Sequence, residues 1–113
     1  MRRGDVYLAD LNPVQGSEQA GTRPVIIVSR DAINENSPVV IIVPTTGAEH
    51  KPKLYPTHIL LKAGTGGLTK DSVAKAEQVR AITKTRLRTS IGQLRFEHMS
   101  LVSAALKIAM DLP

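Results

Sequence analysis

Two nearly continuous runs of β-branched residues constrain the fold of this chain more than any other feature of its sequence. The first run is PVIIVS at 24–29 and the second is VVIIVPTT at 39–46. Runs of this length and composition are typical of strands that are buried on both faces. A connection rich in polar and turn-forming residues joins them, which favours an antiparallel pair. The two runs therefore predict adjacent strands in the core of a β-rich fold.

The rest of the chain extends this pattern and then changes its period. Further strand-like segments, separated by sequences rich in turn-forming residues, lie at 5–11, at 58–62 and at 71–82, the last as two strands or one bent strand. Residues 83–90 have room for one helical turn, and 91–94 are expected to form a short edge strand. Apolar residues recur at helical spacing over 96–110, which predicts a C-terminal helix packed on the sheet. The fold class predicted is α+β, mostly β, with a small and strongly curved antiparallel sheet or barrel.

Length and composition limit the kinds of site that the chain can form. Its 113 residues match the size of one domain, which we expect to span residues 1–113. It contains no cysteine, which excludes a disulfide framework, a thiol nucleophile and a cysteine-bound metal. We see no secretory leader pattern and no apolar run of membrane-spanning length, so we expect a soluble, cytoplasmic protein. The formal net charge of +5 suits a polyanionic partner such as nucleic acid, and scattered surface charge explains it equally well.

One arginine stands at the junction between a polar loop and the first buried strand. The loop GSEQAG at 16–21 precedes Arg23, and Pro24 biases that arginine toward an extended backbone. If the two apolar runs pair about their connection, opposed residues have numbers that sum to about 68 or 69. Arg23 then lies opposite Thr45 or Thr46, with the two Cβ atoms roughly 5 Å apart. A guanidinium and a threonine hydroxyl are therefore expected side by side at one end of the sheet.

This pair of side chains suits the binding of a phosphate group. The planar guanidinium presents a fork of N–H donors, and a hydroxyl adds one more donor or acceptor. Gly16 and Gly21 let the loop adopt backbone conformations that are closed to other residues. The plainer alternative is a surface ion pair between Arg23 and Glu18, of a kind that is common and energetically slight. From the residues alone, the ion pair is the more favoured interpretation.

Other candidate sites have weaker support. The three histidines, His50, His58 and His98, show no spacing that brings two of them together for acid–base catalysis. No metal-binding motif is present, so we expect no required metal and no other cofactor. The glycine-rich segment at 62–71 lacks the ending of a P-loop and predicts a flexible turn. The basic cluster at 80–88 is interpreted as a solvated charged face, with guidance of RNA as the alternative.

Four segments of the chain together resemble one known family. They are RGDVY, GSEQAGTRPVIIVS, VPTTG and DSVAKAEQVRAI, and they follow the family's order over nearly the whole length. The run GSEQAG-x-RP, combined with PTT and Q-x-R, is specific. On these motifs the chain is identified as a member of the MazF/PemK (Kid) family of toxin endoribonucleases from toxin–antitoxin pairs. The resemblance changes the preferred interpretation of Arg23 from a surface ion pair to a functional residue.

The resemblance implies a structure, an activity and partners. The fold is expected to be a compact SH3-like or CcdB-like barrel with a C-terminal helix, assembled as a homodimer. The activity is metal-independent cleavage of single-stranded RNA at short sequences, leaving a 2′,3′-cyclic phosphate and a 5′-hydroxyl. Arg23 and Thr46 take the positions of the family's catalytic residues. The residues expected to bind RNA are Ser17, Glu18, Gln19, Thr45 and Gln78. A cognate antitoxin is expected to place an acidic segment in the same basic groove.

The expected mechanism is attack by the RNA 2′-hydroxyl on its own adjacent phosphate. Arg23 would bind the charge that develops on the phosphate, and Thr46 would hydrogen-bond a phosphate oxygen or help to move a proton. Glu18 is the nearest chemically plausible base, and the loop at 47–58 is where preference for the cut sequence is expected to vary. Two rival functions from other classes are a non-enzymatic gyrase poison, as CcdB is on a similar fold, and a plain nucleic-acid-binding barrel.

Overall fold

The computed structural model describes residues 1–49 and 52–113, so His50 and Lys51 lie outside it. In that part of the chain the strands are β1 (Asp5–Asp10), β2 (Thr22–Ile27), β3 (Val39–Gly47), β4 (His58–Leu61), β5 (Ser72–Lys75), β6 (Arg80–Thr83) and β7 (Leu87–Gln93). The helical elements are α1 (Asp31–Asn36), α2 (Phe96–Met110) and 3₁₀ turns at Thr65–Gly67, Ala76–Gln78 and Lys84–Arg86. None of the described helices is long and apolar enough to cross a membrane.

β3 organises the sheet because it pairs with three other strands. The strand order is β4-β5-β3-β2-β1-β7, with β6 also on β3, and every pairing is antiparallel. Ile42 of β3 is paired with Ile27 of β2 and also with Arg80 of β6. Among the described residues β4 and β7 do not pair with each other, so the sheet is not closed. The prediction of a mostly β fold with a C-terminal helix is confirmed, and the sheet is an open one.

Both faces of the central strands are buried, as their composition predicts. On one face, Ile26 of β2 and Val43 of β3 pack in a cluster with Met99 and Val102 of α2. On the other face, a second cluster of buried apolar side chains consists of Ala9, Leu11, Val25, Ile27, Val40, Ile42 and Ile82. Because consecutive strand residues point to opposite faces, β-branched side chains at every position fill both clusters.

The connection between the two apolar runs contains the short helix α1, which the sequence pattern did not predict. Asn34 of this helix is buried, and its side-chain amide donates to the backbone carbonyl of Ser29 at 2.9 Å. The Ser29 hydroxyl in turn accepts the N–H of Ile41 in β3 at 3.1 Å. Hydrogen bonds of buried polar groups therefore hold this helix against the strand. An apolar face with helical spacing contributes little to its position.

Two residues of the glycine-rich segment at 62–71, Gly66 and Gly67, are closely packed, whereas Gly64 has open space around it, and the flexibility of this turn stays a prediction. Gly67 has a φ of +81°, and a Cβ at this position would lie 1.7 Å from the carbonyl oxygen of Ile91 in β7. A Cβ on Gly92 would likewise lie 2.4 Å from the carbonyl oxygen of Gly66. The glycines let two backbone segments touch where any side chain would collide. β7 also begins at Leu87, four residues before the predicted edge strand at 91–94.

Candidate functional site

The register of β2 on β3 decides which threonine faces Arg23. Val25 pairs with Pro44, and Ile26 with Val43, so the numbers of opposed residues sum to 69. Continued for two residues beyond the last pair, this register places Arg23 opposite Thr46. Of the two partners that the sequence pattern left open, Thr46 is therefore the opposed one.

Two backbone carbonyls fix the direction of the Arg23 guanidinium. Its Nε donates to the carbonyl oxygen of Ala20 at 2.7 Å, and its Nη1 donates to that of Thr45 at 3.2 Å. A guanidinium has five N–H groups, so these bonds leave three of them for a ligand. No carboxylate of the described residues lies within 4.0 Å of this guanidinium. The structure therefore does not contain the surface ion pair with Glu18, whose Oε1 instead accepts the N–H of Gln15 at 2.9 Å.

The adjacent threonines have different environments. The Thr45 side chain is buried, and its hydroxyl donates to the carbonyl oxygen of Pro24 at 2.8 Å. The Thr46 side chain is partly exposed, and its hydroxyl has no hydrogen-bond partner in the described part of the chain. Thr45 thus ties β3 to β2 and supports Arg23 through its carbonyl, whereas the Thr46 hydroxyl remains available to a ligand.

Arg23, Thr45 and Thr46 line the same surface cavity, which has a volume of about 340 Å³. This volume falls within the usual range for small-ligand sites. The full lining is Leu8, Thr22, Arg23, Pro24, Thr45, Thr46, Gly47, Leu68, Thr69, Lys70 and Ser72. Among these residues are two cations, Arg23 and Lys70, several hydroxyl groups and no acid. The cavity is therefore suited to an anionic ligand with oxygen acceptors, such as a phosphodiester.

The predicted substrate loop leads directly into this cavity without lining it. Ser17 and Glu18 are exposed, and Gln19 is partly buried. Gly21 closes the loop, since its carbonyl oxygen accepts the N–H of Leu11 at 3.0 Å. Gly21 has a φ of +78°, in the left-handed region that favours glycine, as expected from the sequence. The loop is thus anchored next to the strand that carries Arg23, with Ser17 and Glu18 exposed and the Glu18 carboxylate bonded to the backbone of Gln15.

Gln78 lies apart from the other predicted site residues. It is the last residue of the 3₁₀ turn between β5 and β6 and does not line the cavity that contains Arg23. The turn packs against α2 and β3. The structure therefore brings together Arg23, Thr45 and Thr46 and leaves Gln78 outside that cavity.

A second cavity adjoins the first one. It has a volume of about 310 Å³, shares Thr46 and Gly47 with the first cavity, and is also lined by Tyr55, His58 and Lys75. The Lys53 ammonium lies 5.5 Å from the centroid of the Tyr55 ring. The two cavities form a groove that passes over the end of β3.

His58, a partly buried histidine in the lining of this second cavity, is held by a glutamate outside that lining. His58 Nε2 lies 2.9 Å from Glu77 Oε2, and the Thr57 hydroxyl donates to Glu77 Oε1 at 2.8 Å. His58 Nδ1 accepts the N–H of Tyr55, so Nε2 carries the proton that is donated to Glu77. Burial alone would raise the pKa of Glu77, but the hydrogen bonds from His58 and Thr57 outweigh it and hold that pKa below its ordinary value. The sequence pattern predicted no partner for His58, because Glu77 is remote along the chain.

The basic cluster at 80–88 has a structural role in addition to its charge. Arg86 Nη1 donates to the carbonyl oxygens of Asp10 and Asn12, and Arg80 Nη1 lies 3.5 Å from that of Leu11. These arginines hold the start of the loop that ends at Arg23. The interpretation of the cluster as a purely solvated face is therefore wrong.

Lys70 is the charged residue of the cavity lining that the sequence pattern did not predict. β5 pairs with the end of β3, so that Thr46 lies opposite Val73 and Gly47 opposite Ser72. This pairing brings the residues before β5 into the cavity. The run LTKDS at 68–72, just before an apolar strand, is the corresponding sequence signal, but pairing of hairpin neighbours alone does not bring it to the end of β3. Within the described part of the chain, no group of three or more histidine, aspartate or glutamate side chains is arranged to hold a metal ion.

Comparison with known proteins agrees with these observations. Residues 2–110 match the family described as PemK-like, MazF-like toxins of type II toxin–antitoxin systems. A curated relative, the endoribonuclease MazF of Staphylococcus saprophyticus, is 47% identical over 112 residues, which are 99% of this chain and 92% of that protein. An endoribonuclease solved in complex with its cognate antitoxin, from a mycobacterial species, is 26% identical with a TM-score of 0.81 and covers 100% of this chain and 97% of its own. A MazF structure from Deinococcus radiodurans, 22% identical with a TM-score of 0.84, covers 99% of this chain and 97% of its own, and shares the fold. The chain therefore belongs to the family of PemK-like, MazF-like toxins of type II toxin–antitoxin systems.

Proposed function

We propose that this protein, as a single domain of residues 1–113, is a toxin that cleaves single-stranded RNA in the cytoplasm without a metal ion. The observation that carries the proposal is the fixed guanidinium of Arg23, which keeps three N–H groups free beside the hydroxyl of Thr46 in a cavity with no acidic lining residue. The relative that is 47% identical is named an endoribonuclease, which favours a nuclease over a gyrase poison or a plain binding protein.

In the proposed reaction the RNA supplies its own nucleophile. The 2′-oxygen forms a bond to the adjacent phosphorus, and the bond from that phosphorus to the 5′-oxygen of the next nucleotide breaks. The 2′-hydroxyl loses its proton, and the departing 5′-oxygen gains one. The products are a 2′,3′-cyclic phosphate and a 5′-hydroxyl, so no water molecule is consumed in the cleavage step.

Arg23 and Thr46 act on the charge that builds on the non-bridging phosphate oxygens. The guanidinium is held in place before the substrate arrives, so little reorganisation is needed as charge develops. Loss of one such donor typically costs about 2.7–4 kcal/mol, or roughly 10²–10³ in rate. The Thr46 hydroxyl donates to a phosphate oxygen or passes a proton to the departing 5′-oxygen.

The proton acceptor is not among the side chains that line the first cavity. In the described part of the chain, that lining contains neither a carboxylate nor an imidazole. Arginine stays protonated at neutral pH, and Glu18 is exposed in the loop outside the cavity. The mechanism therefore depends on stabilisation of phosphate charge more than on a dedicated side-chain base.

The remaining predicted RNA contacts extend the site beyond the scissile phosphate. Ser17, Glu18 and Gln19 lie in the anchored loop beside the cavity, where they can contact bases. Thr45 acts through its backbone, because its hydroxyl is bonded to Pro24. Gln78 would need a substrate that extends past the first cavity.

The proposal includes two partners. One is a cognate antitoxin with an acidic segment, favoured by the net charge of +5 and by the solved endoribonuclease–antitoxin complex of similar fold. The other is a second copy of this chain, which would cover apolar side chains of the C-terminal region. Those that are more than half exposed are Phe96, Leu101, Ile108, Met110 and Leu112.

The experiment is incubation of a long RNA with the protein in EDTA, beside the variant Arg23→Ala. We expect discrete fragments with wild-type protein and at least a hundredfold slower cleavage with the variant. The variant should unfold at a lower temperature than the wild type, because it loses the hydrogen bonds to Ala20 and Thr45, but should remain folded at the assay temperature. Intact RNA with the wild type would favour the gyrase poison or the binding protein. Equal cleavage by both proteins would remove Arg23 from the mechanism.

A further inference from the structure

We propose that Lys70 is a phosphate-binding residue at the passage between the two cavities and that it contacts a phosphate next to the scissile one. The inference rests on the proposed cleavage of RNA and adds a residue and a second contact point to that site. Lys70 comes from the segment before β5, in a different part of the chain from the loop and strands that supply Arg23 and Thr46.

The position of the Lys70 side chain is defined by Gly47. A Cβ built on Gly47 would lie 3.0 Å from Cε and 3.1 Å from Nζ of Lys70. The ammonium group therefore lies directly over the backbone at the end of β3, in space that another side chain would occupy. Gly47 is exposed, so this space is open to a ligand as well as to Lys70.

The charge of Lys70 is not neutralised by a neighbouring side chain. In the described part of the chain, no carboxylate oxygen lies within 4.0 Å of its ammonium, and its neighbour Asp71 pairs with Lys62 at 3.7 Å. An exposed ammonium beside several hydroxyl groups in a cavity without acids is suited to a phosphate oxygen.

The place of Lys70 along the groove indicates which phosphate it binds. Thr46 and Gly47 line both cavities, so an RNA strand that continues from the first cavity into the second must pass over them. Arg23 and Lys70 both line the first cavity and not the second, but Lys70 lies against Gly47, which lines both. A strand with its scissile phosphate at Arg23 and Thr46 then carries its next phosphate past Lys70.

The test compares Lys70→Ala, Lys70→Arg and the matched control Lys107→Ala. Lys107 is an exposed lysine in the last turn of α2 that lines neither cavity, so the control removes the same charge elsewhere. The probe is a short RNA that contains the mapped cut site with 2′-deoxyribose at the cleaved step, and binding is measured by fluorescence anisotropy at several salt concentrations. Thermal unfolding of each variant shows whether the fold is retained.

For Lys70→Ala we expect roughly tenfold weaker binding and a salt dependence whose slope, in log–log form, falls by about 0.7, the value for one phosphate contact on a single strand. Lys70→Arg should restore most of the affinity, and Lys107→Ala should bind like the wild type. The rate of cleavage of the all-ribose RNA at saturating protein should change less than about threefold, because the contact is to a neighbouring phosphate.

Replacement of individual phosphates by uncharged methylphosphonates identifies the contact. At the phosphate that flanks the scissile one, the substitution should weaken wild-type binding and remove most of the difference between wild type and Lys70→Ala. Unchanged affinity and salt slope in Lys70→Ala would overturn the proposal. It would also be overturned if only a methylphosphonate at the scissile phosphate removed the difference in affinity between wild type and Lys70→Ala. If the wild type cuts no RNA, the proposed function fails. The salt dependence of binding, measured on an RNA of the same length without a deoxyribose, would then still test whether Lys70 binds a phosphate.

Discussion

Replacement of each adjacent threonine by valine should separate stability from activity. Valine keeps the β-branched shape and removes only the hydroxyl group. In Thr45→Val the lost hydrogen bond is the buried one to Pro24. A hydrogen bond of this kind contributes about 0.5–1.5 kcal/mol to the free energy of unfolding. For a chain of this size a loss of about 1 kcal/mol lowers the melting temperature by roughly 4 °C.

Thr46→Val should show the opposite behaviour. Its hydroxyl bonds to no described residue and is partly exposed, so the free energy of unfolding should change by less than about 0.5 kcal/mol. A hydrogen bond to a charged phosphate contributes about 1.5–3 kcal/mol, so its loss should slow cleavage by roughly 10- to 150-fold. Thr45→Val should slow cleavage less than about tenfold, because Arg23 is held by the Thr45 carbonyl, which the substitution keeps.

The assay pairs single-turnover cleavage of one RNA at saturating protein with thermal unfolding followed by circular dichroism. The expected result is a stability loss in Thr45→Val and an activity loss in Thr46→Val. Loss of cleavage at unchanged stability in Thr45→Val, together with wild-type cleavage by Thr46→Val, would show that the two hydroxyls do not have these separate roles.

Three further predictions concern charge geometry, pH and backbone packing. Arg23→Lys keeps the charge but not the fork that binds two carbonyls, so single-turnover cleavage should slow roughly a hundredfold while the protein stays folded at the assay temperature. Cleavage at the wild-type rate would contradict this. Glu77 has a lowered pKa in the folded protein, so its stabilising effect is present at neutral pH and is lost as pH falls through that pKa. The free energy of unfolding in urea should be higher for the wild type than for Glu77→Gln at neutral pH, and this difference should shrink from about pH 5 downward. A difference that stays constant with pH would show that the carboxylate is not stabilised as described. Gly67→Ala should destabilise the fold by at least about 2 kcal/mol, because the new Cβ would collide with the Ile91 carbonyl. Gly64→Ala has open space around the new Cβ and should cost only the backbone strain of a positive φ, about 1–2 kcal/mol. Equal melting temperatures of the two variants would contradict the close packing at Gly67.

The paired strands and the juxtaposition of Arg23 and Thr46 could be predicted from sequence because both depend on local rules. The β-branched runs at 24–29 and 39–46 specify neighbouring buried strands, and a hairpin register then places Arg23 against one of two threonines. The choice of Thr46 followed from the family resemblance and agrees with the observed register. The opposite roles of Thr45 and Thr46 needed the structure, since hydroxyl burial depends on the pairing of β3 with β2.

Features that depend on contacts between distant segments were not predictable in this way. Lys70 enters the cavity because β5 pairs with β3 across more than twenty intervening residues, and no turn length sets that register. The helix α1 depends on the buried bonds of Asn34, and its six residues are too few for a clear helical period. The sequence around Gly67 predicts flexibility because the neighbouring residues are small. The close approach of Gly67 to the Ile91 carbonyl in β7 depends on the tertiary fold.

In the proposed mechanism Arg23 and Thr46 act on a phosphate attacked by the RNA's own 2′-hydroxyl, and removal of that hydroxyl from the substrate tests the mechanism. One RNA is prepared twice, with ribose or with 2′-deoxyribose at the mapped cut, and single-turnover cleavage is measured in EDTA. We expect full cleavage of the ribose strand, a 2′,3′-cyclic phosphate on its 5′ fragment, and no cleavage of the deoxy strand at that position. Cleavage of the deoxy strand at the same step would contradict it.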